Sequence, residues 1–488
     1  MLTGINEKCS SSSCRVFLER LVMDSKSVTD FCHSHSQICF ARNPFSPCDS
    51  RKDLISSKFK ERILGFGFVD MLQRYNAQWS DCKLERKTIL VQRIMTRFIQ
   101  GDFLFSAHTG FVPEGVVACD DSGVVHDVLI PGTHNIPQEK VERVRGIVTP
   151  GFVNAHAHLE LSHLKSHISR LTGISGFATE LMDKRDAFDT DAITNAIQLA
   201  DQEMYSNGIV AVGDISNNVA TISAKQKSRI HYHTFCELIA LHPAAADAVM
   251  DTGVQLRARF EAAGLSASLA PHAPYSVSPA LMKKIVDENA GHKVTSTIHN
   301  QESKAESQFT EHGIGKIQDI YDYLGIDTAW FTGYGRTSLQ ASLPNLLSSQ
   351  NLILVHNTFT SPADIRFAEE LHQSLFWCFC PNANLYIEGE LPDFYSFYKA
   401  GVRIVIGTDS LASNDALDIV EELKVIQSQA PEIPIEQLLT WATHNGAQAL
   451  QLDWAGTFES GKKPGVVAIC DVDRNLHLTR ESKAIRLL

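Results

Sequence analysis

The chain has 488 residues, of which 44% are hydrophobic and 20% charged, so it can form one large domain and a smaller one. Its formal net charge of -12 and the lack of clustered Lys and Arg argue against a surface that binds nucleic acid. No segment reaches the ~18 apolar residues of a membrane span, and the first residues lack the apolar core of a secretory signal. We expect a cytoplasmic protein with a small-molecule substrate and no nucleic-acid or membrane partner.

Residues 1–94 differ in composition from the rest of the chain. They are rich in Ser, show little periodicity and contain Cys9, Cys14, Cys32, Cys39, Cys48 and Cys82. A disulfide framework is typical of small secreted domains, which nothing else here indicates, and the spacing in CHSHSQIC matches no structural zinc pattern. Two interpretations are open: these residues form a poorly structured Ser- and Cys-rich extension, or Met95 is the functional start.

Short β-prone runs separated by Gly, Pro and Asp turn signals occupy residues 95–148. Eight apolar runs that alternate with amphipathic helical stretches follow. These predicted strands are IVTPGFVNAH, GIVAVGDI, IHYHTFCELI, LSASLAPHA, KVTSTIHN, LILVHNTF, LFWCFCPN and VRIVIGTDS. Among the helices between them, one ends at Asn207-Gly208, and another begins at Ser278-Pro279 and ends at Gly291.

Alternating strands and helices predict an α/β fold with a parallel sheet. Eight such units over ~250 to 300 residues fit a closed (β/α)8 TIM-like barrel. A doubly wound open sheet is the alternative. The absence of a Gly-rich phosphate fingerprint after the first strand counts against it.

Ionisable side chains stand at the carboxyl ends of these strands, where barrel enzymes gather their active sites. His156 and His158 are two residues apart on the first strand, so both project to the same side. The others, on strands four, five, six and eight, are His272, His299, His356 and Asp409. A single histidine of this kind is more often a hydrogen-bonded core residue, but six polar groups at equivalent positions predict a site.

Three neutral imidazoles and one carboxylate form a suitable ligand set for a divalent metal, with one position left for water. We assign His156, His158, His299 and Asp409 to one such ion, with Zn2+ as the first choice and Fe2+ or Mn2+ as alternatives. A bound ion lowers the pKa of water to roughly 7, which would generate a hydroxide nucleophile near neutral pH.

The remaining chemistry is assigned to two further residues and Asp409. Glu302, in HNQES, is predicted to act as general acid and base; its alternative role is a solvated loop carboxylate or a helix N-cap partner. His356, in LVHNTF, is predicted to hold the hydroxide or polarise the substrate. Asp409 is predicted to accept the proton of the attacking water as well as to bind metal.

The segments PGFVNAHAHLELSHL, APHAPYSVSP, IHNQES, LVHNTF, CPNAN and GTDSLASND, in this order, resemble the amidohydrolase superfamily. The resemblance covers about residues 95–488 and is to the branch of cytosine deaminases and chlorohydrolase-like aminohydrolases. It implies one divalent metal on His156, His158, His299 and Asp409, and catalytic roles for Glu302 and His356. It also implies a small β-sandwich, built from residues 95–148 and 453–488, beside a barrel of residues 149–452.

Two details refine this resemblance. Binuclear members of the superfamily carry a carboxylated lysine at the end of strand four, where this chain has His272, so a mononuclear site is implied. HAHLELSHL lacks an arginine found there in many adenosylhomocysteine and methylthioadenosine deaminases and is similar to the HxHLE form of aminodeoxyfutalosine deaminases. Glu160 is then expected to contact a ribose or another polar part of the substrate, and His272 its base or sugar. Alternatively, Glu160 is a buried structural carboxylate paired with a basic group such as His163.

The expected activity is hydrolytic deamination of an aminated heterocycle by a metal-dependent hydrolase, with aminodeoxyfutalosine or an adenosine derivative as substrate. One alternative is hydrolysis of an amide or cyclic imide, or displacement of chloride, at the same site. Another is a noncatalytic barrel that serves as a scaffold. The resemblance is compatible with a homodimer, although the sequence itself does not define the oligomeric state.

Overall fold

The computed structural model describes residues 96–292, 294–348 and 350–488. The predicted extension over residues 1–94 and the alternative start at Met95 lie outside the described residues. Among the helices of the described ranges, none combines the length and apolar character required to cross a bilayer.

Two small sheets are formed by strands that precede and follow the barrel strands in the sequence. Their strands are β1 (Thr96–Gln100), β2 (Phe103–Ser106), β3 (Gly110–Pro113), β4 (Val116–Asp120), β5 (Val125–Leu129), β6 (Val141–Arg143), β7 (Ile147–Pro150), β16 (Val466–Val472) and β17 (Leu478–Arg486). The strand orders are β5-β4-β1-β6 and β17-β16-β7-β2-β3. Strand β7 pairs antiparallel with β16, with Val148 opposite Ala468, so strands distant in sequence share a sheet. Ile99 and Val117 of one sheet and Leu104 of the other belong to one buried apolar cluster, as in a β-sandwich. The bounds of these domains at residues 148 and 453 stay predictions.

Eight parallel strands form the barrel. They are β8 (Phe152–Ala157), β9 (Ile209–Ser216), β10 (His231–Leu238), β11 (Ser266–Pro271), β12 (Thr295–Asn300), β13 (Asn351–His356), β14 (Leu375–Phe379) and β15 (Ile404–Ile406). Strands β8 to β11 pair in chain order, as do β12 to β15. Two junctions close the ring: His299 N donates to His272 O at 2.9 Å, and Thr408 N donates to His156 O at 3.0 Å. The predicted (β/α)8 barrel is therefore confirmed.

The first predicted strand was wrong in one respect, because residues 147–156 form two strands. Ile147–Pro150 is β7 of the small sheet, and only Phe152–Ala157 belongs to the barrel. Gly151 separates them at a point of close approach: an added Cβ would lie 2.3 Å from Val210 Cγ1 and 2.7 Å from Pro464 O. The chain can therefore change sheets there only with a residue that has no side chain.

Helices occupy the connections between the barrel strands and the segment after them. They are α1 (Gly173–Lys184), α2 (Thr190–Ser206), α3 (Ile222–Lys227), α4 (Ala246–Ala262), α5 (Pro279–Asn289), α6 (Lys304–His312), α7 (Ile317–Tyr323), α8 (Ser338–Ser342), α9 (Pro362–Leu371), α10 (Pro381–Ile387), α11 (Phe394–Ala400), α12 (Ile419–Gln429), α13 (Ile435–Thr440) and α14 (Gly446–Ala449). The predicted start of α5 is confirmed, since Ser278 Oγ accepts from Leu281 N at 3.3 Å and Pro279 is the first helical residue. The turn Leu159–Leu164 that follows β8 is a 3-10 helix and continues directly from His158.

Candidate active site

Polar side chains from several barrel strands converge at the carboxyl end of the barrel. His158 Nε2 lies 3.1 Å from His156 Nε2 and 3.2 Å from Asp409 Oδ1. His156 Nε2 is 3.6 Å from the same carboxylate oxygen. Ligand atoms of His156, His158 and His299 all lie within 4.8 Å of one another. The four residues assigned to a metal from the sequence are thus brought together in space.

The backbone at these strand ends adopts conformations that are rare for residues with a side chain. The φ angles are 47° at Gln301, 74° at His356 and 58° at Asp409. Such conformations cost free energy and concentrate at functional sites, where the surrounding structure enforces them. At Asp409 the enforcement is visible, because its N–H donates to His156 O at 3.1 Å.

The donor set fits a divalent metal ion. Four ligands placed tetrahedrally about 2.0–2.1 Å from zinc are about 3.3 Å apart, close to the measured separations between His156, His158 and Asp409. His299 Nδ1 donates to His272 O at 2.8 Å, so its Nε2 keeps the lone pair that a metal requires. Ser413 Oγ donates to Asp409 Oδ2 at 2.6 Å, which orients Oδ1 towards the histidines.

The charge states of these residues also suit metal binding. Burial lowers the pKa of His156 to about 4 and that of His299 well below its ordinary value, so both imidazoles are neutral at pH 7. Burial alone would raise the pKa of Asp409. The hydrogen bond from His156 and the charges of the surrounding histidines outweigh it and hold this pKa well below its usual range. The site therefore presents the neutral nitrogens of His156 and His299 together with the carboxylate of Asp409.

Glu302 and His356 lie next to this cluster. Glu302 Oε1 is 3.6 Å from His356 Nε2, and His356 Nδ1 donates to Asn384 Oδ1 at 2.8 Å. Glu302 is 5% exposed, and burial raises the pKa of its carboxyl to about 7. A group with that pKa can both give and take a proton near neutral pH.

Other residues perform the helix-capping role considered for Glu302. Ser303 Oγ accepts from Glu306 N at 3.0 Å at the start of α6. The carboxylate of Glu306 accepts from Gln301 N at 2.8 Å and Glu302 N at 2.9 Å. The carboxyl of Glu302 is left free of backbone contacts and lines the cavity described next.

A cavity of about 250 Å3 opens above the cluster. Its polar part contains His158, His272, His299, Glu302, His356 and Asp409. Apolar side chains also line the cavity, and those called the apolar wall here are Ile174, Phe177, Leu181, Met182, Ile239, Ile320 and Leu324. Ile239 and Leu324 are 52% and 47% exposed, so the apolar wall extends to solvent. The cavity can hold a molecule with a polar reacting end and an apolar remainder.

The two residues predicted to bind substrate are placed differently. His272 lines the cavity, and its Nδ1 is hydrogen bonded to Ser276 Oγ at 2.6 Å. Glu160 is 3% exposed and is absent from the described cavity lining; its Oε2 accepts from Asn217 N at 3.1 Å, and its Oε1 lies 3.9 Å from Arg185 Nη2. His163, its suggested partner, instead donates to Arg185 O at 2.9 Å. The substrate contacts of both residues stay predictions.

Sequence reasoning overlooked several polar residues of the cavity, among them Glu237, Asn217 and Arg185. Glu237 is the penultimate residue of β10 and meets the criterion used for the histidines, a polar group at the carboxyl end of a barrel strand. That signal was available for Glu237. Asn217 follows the end of β9, and Arg185 follows α1.

Residues 147–479 match the amidohydrolase family. The chain is 25% identical over 351 residues to 5-methylthioadenosine/S-adenosylhomocysteine deaminase of Halalkalibacterium halodurans, covering 68% of this chain and 75% of that one. It is 24% identical over 326 residues to adenosine deaminase of Helicobacter pylori, covering 65% and 77%.

Solved structures show the same fold. Helicobacter pylori aminofutalosine deaminase, in complex with methylthio-coformycin, superposes with a TM-score of 0.67 at 22% identity, over 80% of this chain and all of that one. Atrazine chlorohydrolase of Arthrobacter aurescens, complexed with zinc, gives 0.62 at 17% identity, over 79% and 92%. With two thirds of its length matched to the family, the chain belongs to the amidohydrolases.

Proposed function

We propose that the protein is a metal-dependent hydrolase that removes the amino group of a nucleoside-like aminated heterocycle as ammonia. The observation that supports this most is the convergence of His156, His158, His299 and Asp409 beside Glu302, a buried carboxyl with a pKa of about 7. Zinc in the solved structures of atrazine chlorohydrolase and of an adenosine deaminase from Xanthomonas campestris supports a divalent metal as the cofactor. His156, His158, His299 and Asp409 would hold it.

When bound, the ion supplies Lewis acidity and lowers the pKa of water to roughly 7. The chain provides the proton transfers. Asp409 accepts the proton of the attacking water on its carboxylate, and Glu302 donates a proton from its carboxyl to the ring nitrogen beside the carbon that is attacked. His356, fixed by Asn384, is placed to hold the attacking oxygen or to polarise the substrate. As the carbonyl forms, the ionised Glu302 takes up the proton of the new hydroxyl. Asp409 returns the water proton to the amino nitrogen, the C–N bond breaks, and ammonia leaves.

A nucleoside-like substrate is supported by the relatives, which are named for deamination of adenosine, 5-methylthioadenosine, S-adenosylhomocysteine and aminofutalosine. The cavity agrees with this class, because its lining combines polar groups with the apolar wall, which can accept the apolar part of such a molecule. The cytoplasmic location and a homodimer stay predictions.

A second candidate is hydrolysis of a different bond at the same site. The similarity to atrazine chlorohydrolase favours displacement of chloride from a triazine, and an amide or cyclic imide could be opened by the same groups. A noncatalytic scaffold is disfavoured because all four proposed metal ligands are present. Ligand atoms of His156, His158 and His299 lie within 4.8 Å of one another, and Asp409 Oδ1 lies 3.6 Å and 3.2 Å from the Nε2 atoms of His156 and His158.

The test is release of ammonia from adenosine, 5-methylthioadenosine, S-adenosylhomocysteine, aminodeoxyfutalosine, guanine and cytosine, with chloride release from a chlorotriazine measured in parallel. Ammonia from at least one nucleoside is the expected result. Chloride release without ammonia would favour the second candidate. No reaction after addition of zinc, iron or manganese would favour the scaffold.

A further inference from the structure

We propose that Glu237, held by Asn217, forms a subsite that binds the sugar hydroxyls of the substrate. This inference rests on the proposed function and adds the part of the substrate that is recognised away from the reacting amino group. Glu237 lines the cavity, and its side chain is only 4% exposed. Its Oε2 accepts from Asn217 Nδ2 at 3.0 Å. Its Oε1 is buried and has no hydrogen-bond partner within the described ranges.

Burying a carboxylate oxygen without a hydrogen-bond donor costs free energy, because the hydrogen bonds that it made to water are not replaced. An ionised carboxylate has acceptor sites on both oxygens, of which Asn217 uses one. Glu237 can therefore accept hydrogen bonds from two neighbouring hydroxyls of one ligand. Hydroxyls are the donors that a nucleoside offers outside its base.

A different role, orientation of the metal ligand His299, is disfavoured by distance. Glu237 Oε1 lies 3.7 Å from His299 Nδ1, whereas His299 Nδ1 lies 2.8 Å from His272 O. The proton on Nδ1 is thus already donated to a main-chain carbonyl. Glu237 Oε1 is left to a ligand in the cavity.

Asn217 and Glu160 fix the position of this carboxylate. Asn217 donates its N–H to Glu160 and its side-chain amide to Glu237, so it links the two carboxyl groups. Glu160 is a positioning residue in this arrangement, because its own carboxyl is outside the described cavity lining. Glu237 takes the direct contact that the sequence assigned to Glu160.

The experiment compares adenosine with 2′,3′-dideoxyadenosine in wild type, Glu237→Leu and Glu237→Gln, using both ammonia release and calorimetric binding. We expect wild type to prefer adenosine in kcat/KM by about 10- to 100-fold, the worth of hydrogen bonds to a charged group. Glu237→Leu should remove the preference, while Glu237→Gln, which keeps an acceptor, should retain part of it. Bound metal should stay at the wild-type level in both variants.

Equal kcat/KM for the two nucleosides in wild type would overturn the inference even if a variant failed to fold. The inference would also fall if Glu237→Leu kept the preference for adenosine. Equal loss of activity on both nucleosides, or loss of the bound metal, in Glu237→Leu would overturn it as well, because either result indicates a structural role. If no nucleoside released ammonia but adenosine still bound more tightly through Glu237, the subsite would stand and the proposed function would fall. If wild type bound neither nucleoside, the inference would fall, whereas the proposed function would still be decided by ammonia release from the wider panel.

Discussion

Glu302 Oε1 lies 3.6 Å from His356 Nε2, and both side chains are buried. Burial raises the pKa of Glu302 to about 7. Burial alone would lower the pKa of His356, but the charges of Glu302 and Asp409 outweigh it and raise this pKa. The two groups together can therefore hold a proton near neutral pH beside the proposed metal ligands, where the proposed proton transfer to the substrate takes place.

Replacing Glu302 should separate catalysis from metal binding. Glu302→Gln keeps the shape of the side chain but cannot exchange its proton, so turnover should fall by about 10²- to 10⁴-fold. Bound metal should be unchanged, because Glu302 is not a proposed ligand. Ammonia release and elemental analysis measure the two quantities. Glu370→Gln, on the exposed side of α9, is the matched control and should behave as wild type. Near wild-type turnover in Glu302→Gln would remove Glu302 from the mechanism.

The buried ion pair between Lys225 and Asp214 should stabilise the folded chain next to His158. Lys225 Nζ lies 2.6 Å from Asp214 Oδ2 with both side chains fully buried, and Asp214 Oδ1 accepts from Leu159 N at 2.7 Å, just after His158. Lys225→Met leaves a buried carboxylate unpaired and should lower the free energy of unfolding by about 3–5 kcal/mol. Denaturant unfolding provides the measurement.

Two comparisons test that explanation. Adding Asp214→Asn to Lys225→Met should restore part of the stability, since the unpaired charge is removed. Lys283→Met is the exposed control, because Lys283 is 74% exposed and 3.9 Å from Asp287. If Lys225→Met changed stability no more than Lys283→Met, the buried pair would have no special role.

Glu422 should make stability depend on pH. It is fully buried, accepts from Asn382 N at 2.9 Å and Asn414 Nδ2 at 2.7 Å, and burial raises its pKa to about 8. Its pKa in the unfolded chain is about 4.3, so the folded protein binds more protons between these values. The stability contributed by Glu422 is thus full below about pH 4.3 and is lost as pH rises through about 8.

Glu422→Gln removes this dependence, because an amide does not titrate in that range. Between pH 5.5 and 7.5, the free energy of unfolding of metal-free wild type should fall by about 2–3 kcal/mol relative to that of Glu422→Gln. Urea unfolding at the two pH values measures the difference. If the free energy of unfolding changed with pH by the same amount in the two proteins, Glu422 would be ionised in the folded protein at both pH values.

The apolar wall should select substrates by their apolar substituents. Phe177 lines the cavity, and Phe177→Ala removes contact area from this wall. We expect KM for 5-methylthioadenosine to rise by about tenfold, with a smaller rise for adenosine. Steady-state ammonia release provides both values. Tyr395→Ala removes an exposed aromatic residue outside the described cavity lining and is the control. Equal changes in KM for both nucleosides would show that the wall does not contact the substituent.

The barrel and its histidines were predictable because strand ends are marked locally. The first, fourth, fifth, sixth and eighth predicted strands carry a histidine or an aspartate at or near the carboxyl end, and the carboxyl ends of parallel strands must meet on one face of the barrel. His156, His299 and Asp409 could therefore be grouped without knowing how far apart they lie. Ser303-x-x-Glu306 also carries a capping-box signature, which would have assigned the start of α6 and freed Glu302 from that role.

Other features depended on contacts that no local pattern contains. The break between β7 and β8 at Gly151 occurs where Val210 and Pro464 come close to the backbone of this glycine. Nothing in the surrounding apolar run indicates this contact. Glu160, predicted to contact the substrate, lies in the 3-10 turn after His158, and no local pattern indicates that its Oε2 accepts from Asn217 N. For Glu237, only side-chain geometry shows that Oε1 has no protein donor among the residues described.

Metal stoichiometry tests the central claim most directly, because it requires no knowledge of the substrate. Elemental analysis of wild type after incubation with zinc and removal of free ions should give one equivalent per chain, as expected for a single site with three histidines and one aspartate. His158→Ala and Asp409→Ala should each retain little metal, while Glu302→Gln retains one equivalent. Equal metal content in wild type and the two ligand variants would contradict the assignment of these residues to the ion.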